Sequence, residues 1–167
     1  MAKTFITGLF KTRAAAEAAV DAVIKRGYTR DDLSVLMSDA TKNKEFAVQT
    51  RSHAADGLGV GGAIGGTVGA VLAAIAAVGT SVAIPGLGVV VAGPIAAALA
   101  GAGAGGATGG LIGLLIGTGI PEHRARVYET GVRGGGILLG IEAKGPEEVD
   151  KLETLLEDIG AEYVRAE

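Results

Sequence analysis

The sequence contains no cysteine and no tryptophan, and only six of its 167 residues are aromatic. Without cysteine there is no disulfide framework, thiol nucleophile or thiolate metal site, which fits a reducing cytosolic environment. Charge is missing from one place in particular: none of the 33 charged residues falls between Gly57 and Ile120, a stretch of 64. That stretch also holds 20 of the 29 glycines and no aromatic residue. One homogeneous soluble core is thereby excluded, because soluble domains keep charge on the outer face of nearly every element. Simple disorder is excluded too, since the stretch is rich in Ala, Val, Ile and Leu whereas disordered chains are polar and charged. A net charge of −3 lacks the basic surplus of a nucleic-acid binder. The amino terminus turns polar at Lys11 to Arg13, too early for the apolar run of a secretory signal peptide.

The charged flanks carry regular patterns. Thr4 to Phe10 alternates like a strand, and Thr12 to Arg26 reads as an Ala-rich helix with Thr12 as N-cap and Gly27 just past its end. Leu33 to Met37 is a second strand after the turn Thr29 to Asp32. Near the other end, Gly136 to Ala143 is a strand, and Pro146 opens a helix with Glu147 and Glu148 in its first turn. That helix puts Val149, Leu152, Leu156 and Ile159 on one face, stops at Gly160 and is followed by the strand Ala161 to Val164. A shift of 133 positions lays Lys11 on Lys144, Gly27 on Gly160, Ala19 on Leu152 and Val23 on Leu156. The flanks therefore read as two β-α-β units. The expected fold is α+β: a ferredoxin-like split β-α-β domain with a four-stranded antiparallel sheet, helices on one face, and an inserted α-helical hairpin. The organisation follows as 1–39 for the first half, 40–56 for a polar linker, 57–120 for the insertion, and 121–167 for a helix plus the second half. The helix in that last part is expected over Pro121 to Thr130, capped by Gly131.

Within the insertion, small residues recur every fourth position. The first run is Gly57, Gly61, Gly65, Gly69, Ala73 and Ala77; the second is Gly93, Ala97, Gly101, Gly105, Gly109, Gly113 and Gly117. Such spacing keeps them near one helix face, where missing side chains let two backbones approach closely. Each interior Gly costs a helix in water about 1 kcal/mol relative to Ala, so lipid or tight packing between copies must offset the loss. Gly57 to Gly79 spans 23 residues and Pro94 to Ile120 spans 27, each beyond the roughly 20 needed to cross about 30 Å of hydrocarbon. Pro85, Gly86 and Gly88 break the chain between them. Lys42, Lys44 and Arg51 on one side and Arg124, Arg126 and Arg133 on the other place both ends in the cytoplasm by the positive-inside rule. Two features favour a re-entrant wedge or a bundle shared between copies. Only 8 of the 23 and 8 of the 27 residues are Val, Ile or Leu, and the connecting segment Val82 to Ala92 is itself apolar.

Little in the sequence points to chemistry. Gly57 to Gly62 has the letters of a dinucleotide fingerprint, but polar residues precede it and no acid follows until Glu122. His53 and Asp56 flank one end of the insertion and Glu122 and His123 the other, a conceivable metal or pH-sensing group that equally reads as polar flanks. Arg133-Gly134-Gly135-Gly136 suggests a backbone nest for an anion, or a plain lead into the third strand. No catalytic constellation, metal site or cofactor site emerges.

The run Gly119 to Glu122, followed by Tyr128-Glu129, Gly131-Val132-Arg133 and Gly135 to Leu139, resembles the bacterial general stress proteins of the heat- or low-temperature-induced kind. The resemblance implies a stress-response role, membrane association and no enzymatic activity, and supplies no functional residues. The plan also resembles a membrane subunit of a quinol-oxidising respiratory complex, without its redox ligands. The expectation is a non-enzymatic, membrane-associated protein with both termini cytoplasmic. It would self-associate through Gly57, Gly61, Gly65, Gly69, Gly101, Gly105, Gly109, Gly113 and Gly117. Its partners would be itself and membrane lipid, with no nucleic acid and no cofactor, and the sequence does not say whether a small-molecule ligand exists. The alternative is a soluble homo-oligomeric shell, cage or filament with the hairpins buried between subunits.

Overall fold

The computed structural model describes residues 4–45, 82–84, 88–101 and 105–167; expectations for the remaining residues, among them Gly57, Gly61, Gly65 and Gly69, lie outside the described residues. In chain order the elements are β1 (Phe5–Phe10), α1 (Arg13–Lys25), a short 3-10 turn (Arg30–Asp32), β2 (Leu33–Ser38), α2 (Asp39–Glu45), β3 (Val82–Ile84) and β4 (Val89–Ala92). They continue as α3 (Pro94–Gly101), α4 (Gly105–Gly117), α5 (Glu122–Arg133), β5 (Ile137–Glu142), α6 (Pro146–Ile159) and β6 (Glu162–Ala166). The strands form one antiparallel sheet in the order β3-β4-β2-β5-β1-β6.

The two halves interleave. β5 lies between β1 and β2, and β1 lies between β5 and β6, so each β-α-β unit inserts one strand into the other. At the centre β1 and β5 run from Phe5↔Glu142 to Phe10↔Ile137. Local chemistry sets the helices beside them. Thr12 is extended and its side chain accepts a hydrogen bond from the Ala15 amide, starting α1. Pro146 fits the first turn of α6, where its missing N–H would have had no partner. Gly27 and Gly160, equivalent under the 133-residue shift, both take the left-handed conformation that ends a helix and that a Cβ disfavours. Ala19 and Val23 of α1 meet Leu152 and Leu156 of α6 in one core over Ile6, Phe10, Leu139 and Ile141.

Contrary to the expectation of helices on one face, the sheet is covered on both. Strand residues alternate strictly between two cores: Leu33, Val35 and Met37 of β2 face α1 and α6, whereas Leu36 faces the other way with Leu9 and Leu138. The second core is completed by Ile95 and Ala96 of α3, Leu111, Leu114 and Leu115 of α4, and Ala125, Tyr128 and Val132 of α5. α3 and α4, both from the charge-free stretch, thus pack on this domain's sheet through these residues. Within the expected apolar hairpin tip, Val82 to Ala92, the residues Val82–Ile84 and Val89–Ala92 are instead the paired strands β3 and β4, and β4 pairs with β2 from Val35↔Ala92 to Ser38↔Val89. Its Val-Val-Val-Ala run suits a half-pleated buried surface better than a turn.

Other boundaries shift as well. The single helix expected over Pro94 to Ile120 is interrupted among the described residues, since Gly110 inside α4 is non-helical with φ 63 and ψ −158. Glycine-rich backbone has the least helical bias, so packing on the sheet decides where helix persists. No described helix is long and apolar enough to cross a membrane. Part of the expected linker 40–56 is α2, where the Ser38 hydroxyl accepts from the Thr41 amide at 3.1 Å. α5 runs on through Gly131 to Arg133, because Gly131 lies in helix where α5 crosses β1: a Cβ there would stand 2.2 Å from Leu9 Cδ2.

Candidate functional site

The glycines singled out for self-association do not form one straight stripe among the described residues. Gly101 ends α3, Gly105 and Gly109 precede the non-helical Gly110, and Gly113 and Gly117 follow it. α4 presses Leu111, Leu114 and Leu115 onto the sheet and leaves Ile116 43% exposed, next to an unobstructed Gly117. His53 and Asp56 lie outside the described residues, while His123 and Glu122 stand exposed at the start of α5, with Glu122 holding Arg126 at 2.6 Å. Among the described residues no group of three His, Asp or Glu side chains could hold a metal. The anion nest proposed at Gly134 to Gly136 is a helix cap instead. Their amides donate to the carbonyls of Thr130, Val132 and Gly131 at 3.0, 3.1 and 2.9 Å, leaving none for a ligand.

The polar centre of the domain lies under α5. Tyr128, fully buried, donates its hydroxyl proton to the Tyr163 carbonyl at 2.8 Å. The same oxygen lies 2.9 Å from the Thr7 hydroxyl and accepts from the Arg124 guanidinium. Its single proton being spent on Tyr163, it receives from Thr7 and Arg124. Arg124 also donates to the Tyr163 carbonyl at 3.0 Å and pairs with Glu167, the side chains being 15% and 8% exposed. Burial raises the Tyr128 phenol above its ordinary value, with the Thr7 hydrogen bond and the Arg124 charge pulling the other way. It stays protonated at neutral pH. No buried side-chain polar atom among the described residues lacks a partner.

This network depends on a distortion in β6. The β1–β6 register shifts between Thr7 and Leu9, and Tyr163 has φ 56, the one positive value at a non-glycine among the described residues. A bulge adds a residue, and the extra turn of backbone aims the Tyr163 carbonyl inward at Tyr128 and Arg124 while its ring stands 57% exposed.

Tyr163 and Val127 line two clefts. One, ≈ 730 Å³, is lined chiefly by Leu9, Lys11, Arg126, Val127 and Glu162; there Lys11 pairs with Glu162 at 2.7 Å and Arg126 with Glu122. The other, ≈ 440 Å³, is lined by His123, Arg124, Val127, Tyr128, Glu157, Tyr163, Val164 and Arg165. Sequence reasoning found neither as a site, although it singled out His123 of the smaller and Gly134 and Gly136 of the larger for other roles. The residues of the polar centre and the smaller cleft sit at positions 7, 123–128, 157 and 162–167, with no local spacing to betray them.

The run Gly119 to Leu139, which carries the resemblance to stress proteins, has a packing account throughout. Pro121 precedes α5, Tyr128 holds the polar centre, Gly131 admits Leu9, and Ile137 to Leu139 form the middle of the sheet. No family model, curated protein or solved structure matches this chain.

Proposed function

We propose that this chain is a non-enzymatic, self-associating protein. Its body is a ferredoxin-like split β-α-β domain, and the glycine-rich residues beginning at Gly57, Gly61, Gly65 and Gly69 supply the contact between copies. The strand order β2-β5-β1-β6, with one strand of each half inside the other, supports the ferredoxin-like reading.

One observation carries the preference for self-association over a membrane-spanning hairpin. α2 ends at Glu45, and β3, which begins at Val82, belongs to the same sheet as β2, so the chain returns after 36 residues to the domain it left. One crossing would separate the two ends. Two crossings need about 40 apolar residues, and only the 25 from Gly57 to Ser81 lie between these points without charge. That run is shorter than two crossings require. A glycine stripe buried against a second copy accommodates that length. A re-entrant wedge in lipid is the second reading, favoured by the charge-free run and by Lys42, Lys44 and Arg51 before it. A stress-response role comes from the resemblance alone and enters only as part of this proposal.

Light scattering on protein purified without detergent tests the reading. A defined oligomer is expected, reduced to monomer by joint Gly61→Leu and Gly65→Leu substitution. A monomeric wild type, or recovery solely with carbonate-washed membranes, would refute it.

A further inference from the structure

The smaller cleft beside Tyr163 gathers polar and charged side chains that neither the fold nor self-association uses. Arg165 of β6, His123 in the first turn of α5 and Glu157 of α6 all line it and are exposed, and none makes a side-chain hydrogen bond or ion pair among the described residues. In the neighbouring cleft the situation is opposite, for Lys11 and Arg126 each already hold an acid. Beside the unpaired groups of the smaller cleft, Arg124 is fixed in place by Glu167, the Tyr128 hydroxyl and the Tyr163 carbonyl, so it forms an ordered, already paired part of the wall. The remaining walls, Val127, Val164 and the Tyr163 ring, are apolar. A volume of ≈ 440 Å³ is within the range of small-molecule pockets.

An unpaired guanidinium, an imidazole able to donate a hydrogen bond and a single unpaired carboxylate around an apolar hollow are complementary to a zwitterion. We propose that this cleft binds a small α-amino acid with an apolar or aromatic side chain. Arg165 and His123 receive its carboxylate, Glu157 its ammonium, and Val127, Val164 and Tyr163 its side chain. A simple anion would leave Glu157 facing the ligand unpaired, and a simple cation would do the same to Arg165. The inference is independent of self-association, since all the residues belong to one domain of one chain.

Calorimetry on the full chain with L-phenylalanine, 3-phenylpropionate and phenethylamine tests it. Phenylalanine should bind, and each analogue, lacking one charge, should bind at least about tenfold more weakly, the worth of one charged hydrogen bond. Arg165→Gln should erase the preference over phenethylamine, and Glu157→Gln the preference over 3-phenylpropionate. Both positions are exposed, so neither change should move the melting temperature of the free protein. Tyr163→Gly, which keeps the positive φ and removes the ring, should weaken phenylalanine binding and leave glycine binding unchanged. No heat with millimolar phenylalanine, equal binding of the three probes to wild type, or binding indifferent to both charge variants would each overturn the proposal.

Discussion

The hydroxyls of Thr7 and Tyr128 lie 2.9 Å apart, joining the first strand to a helix 121 positions later and closing the second core from within. Both atoms are buried, and Tyr128 is shared with the Tyr163 carbonyl and Arg124. Tyr128→Phe would leave three polar groups one partner short in the interior. A loss of about 1–3 kcal/mol is expected in urea unfolding, and adding Thr7→Val should cost less than the sum of the two single changes. Additive losses would mean that the two hydroxyls do not act together.

The same phenol predicts an alkaline limit. Burial raises its folded value above the ordinary 10.0, so the fold favours the protonated form. The stability this contributes is complete below pH 10 and falls as pH rises from there through the higher folded value. Urea midpoints measured from pH 9 upward should drop more steeply for wild type than for Tyr128→Phe. Parallel curves would assign the alkaline loss to other groups, Tyr28 among them, whose phenol burial also raises.

Gly131→Ala sets two effects against each other. Alanine favours helix by about 1 kcal/mol over glycine, but its Cβ would sit 2.2 Å from Leu9 Cδ2 in a side chain only 4% exposed. Overpacking of that kind costs about 1–3 kcal/mol, so a net loss is expected in wild type. In a Leu9→Ala background the clash disappears and the same substitution should stabilise. An unchanged sign in both backgrounds would show that Leu9 is not what keeps this position glycine.

Glu153 guards an edge of the sheet. Phe5 and Glu167 exchange both backbone hydrogen bonds, so the neighbouring Ala166 amide points away from β1, and the Glu153 carboxylate accepts it at 2.7 Å. Glu153→Ala should accelerate hydrogen exchange at Ala166 and increase concentration-dependent association, whereas Glu153→Gln, which keeps an acceptor, should do so much less. Identical exchange in all three proteins would remove the guarding role.

Leu111→Ala tests whether the charge-free stretch belongs to the domain. The side chain is fully buried against the sheet, so truncation should cost about 2–5 kcal/mol. Ile116→Ser, one turn on and 43% exposed, should cost far less. Equal and small effects would place α4 off the sheet.

Sequence alone determined the elements whose signals are local. The Thr12 cap, Pro146 at the start of α6, the stop at Gly160 and the apolar faces of Ala19, Val23, Leu152 and Leu156 each depend on a few adjacent residues, because hydrogen bonds and backbone angles within one turn are set there. The tertiary structure alone decided what the uncharged residues are buried against. Absence of charge between Gly57 and Ile120 records avoidance of water, but apolar burial has no direction. Lipid, a second copy and the domain's own sheet satisfy Leu111, Leu114 and Leu115 equally well in sequence, and the open face of β1, β2 and β5 is what receives them. The cleft beside Tyr163 was hidden for a related reason. Its polar groups come from three elements brought together by the strand order β5-β1-β6 and by a bulge at Tyr163, and neither exists until the two halves of the chain have paired.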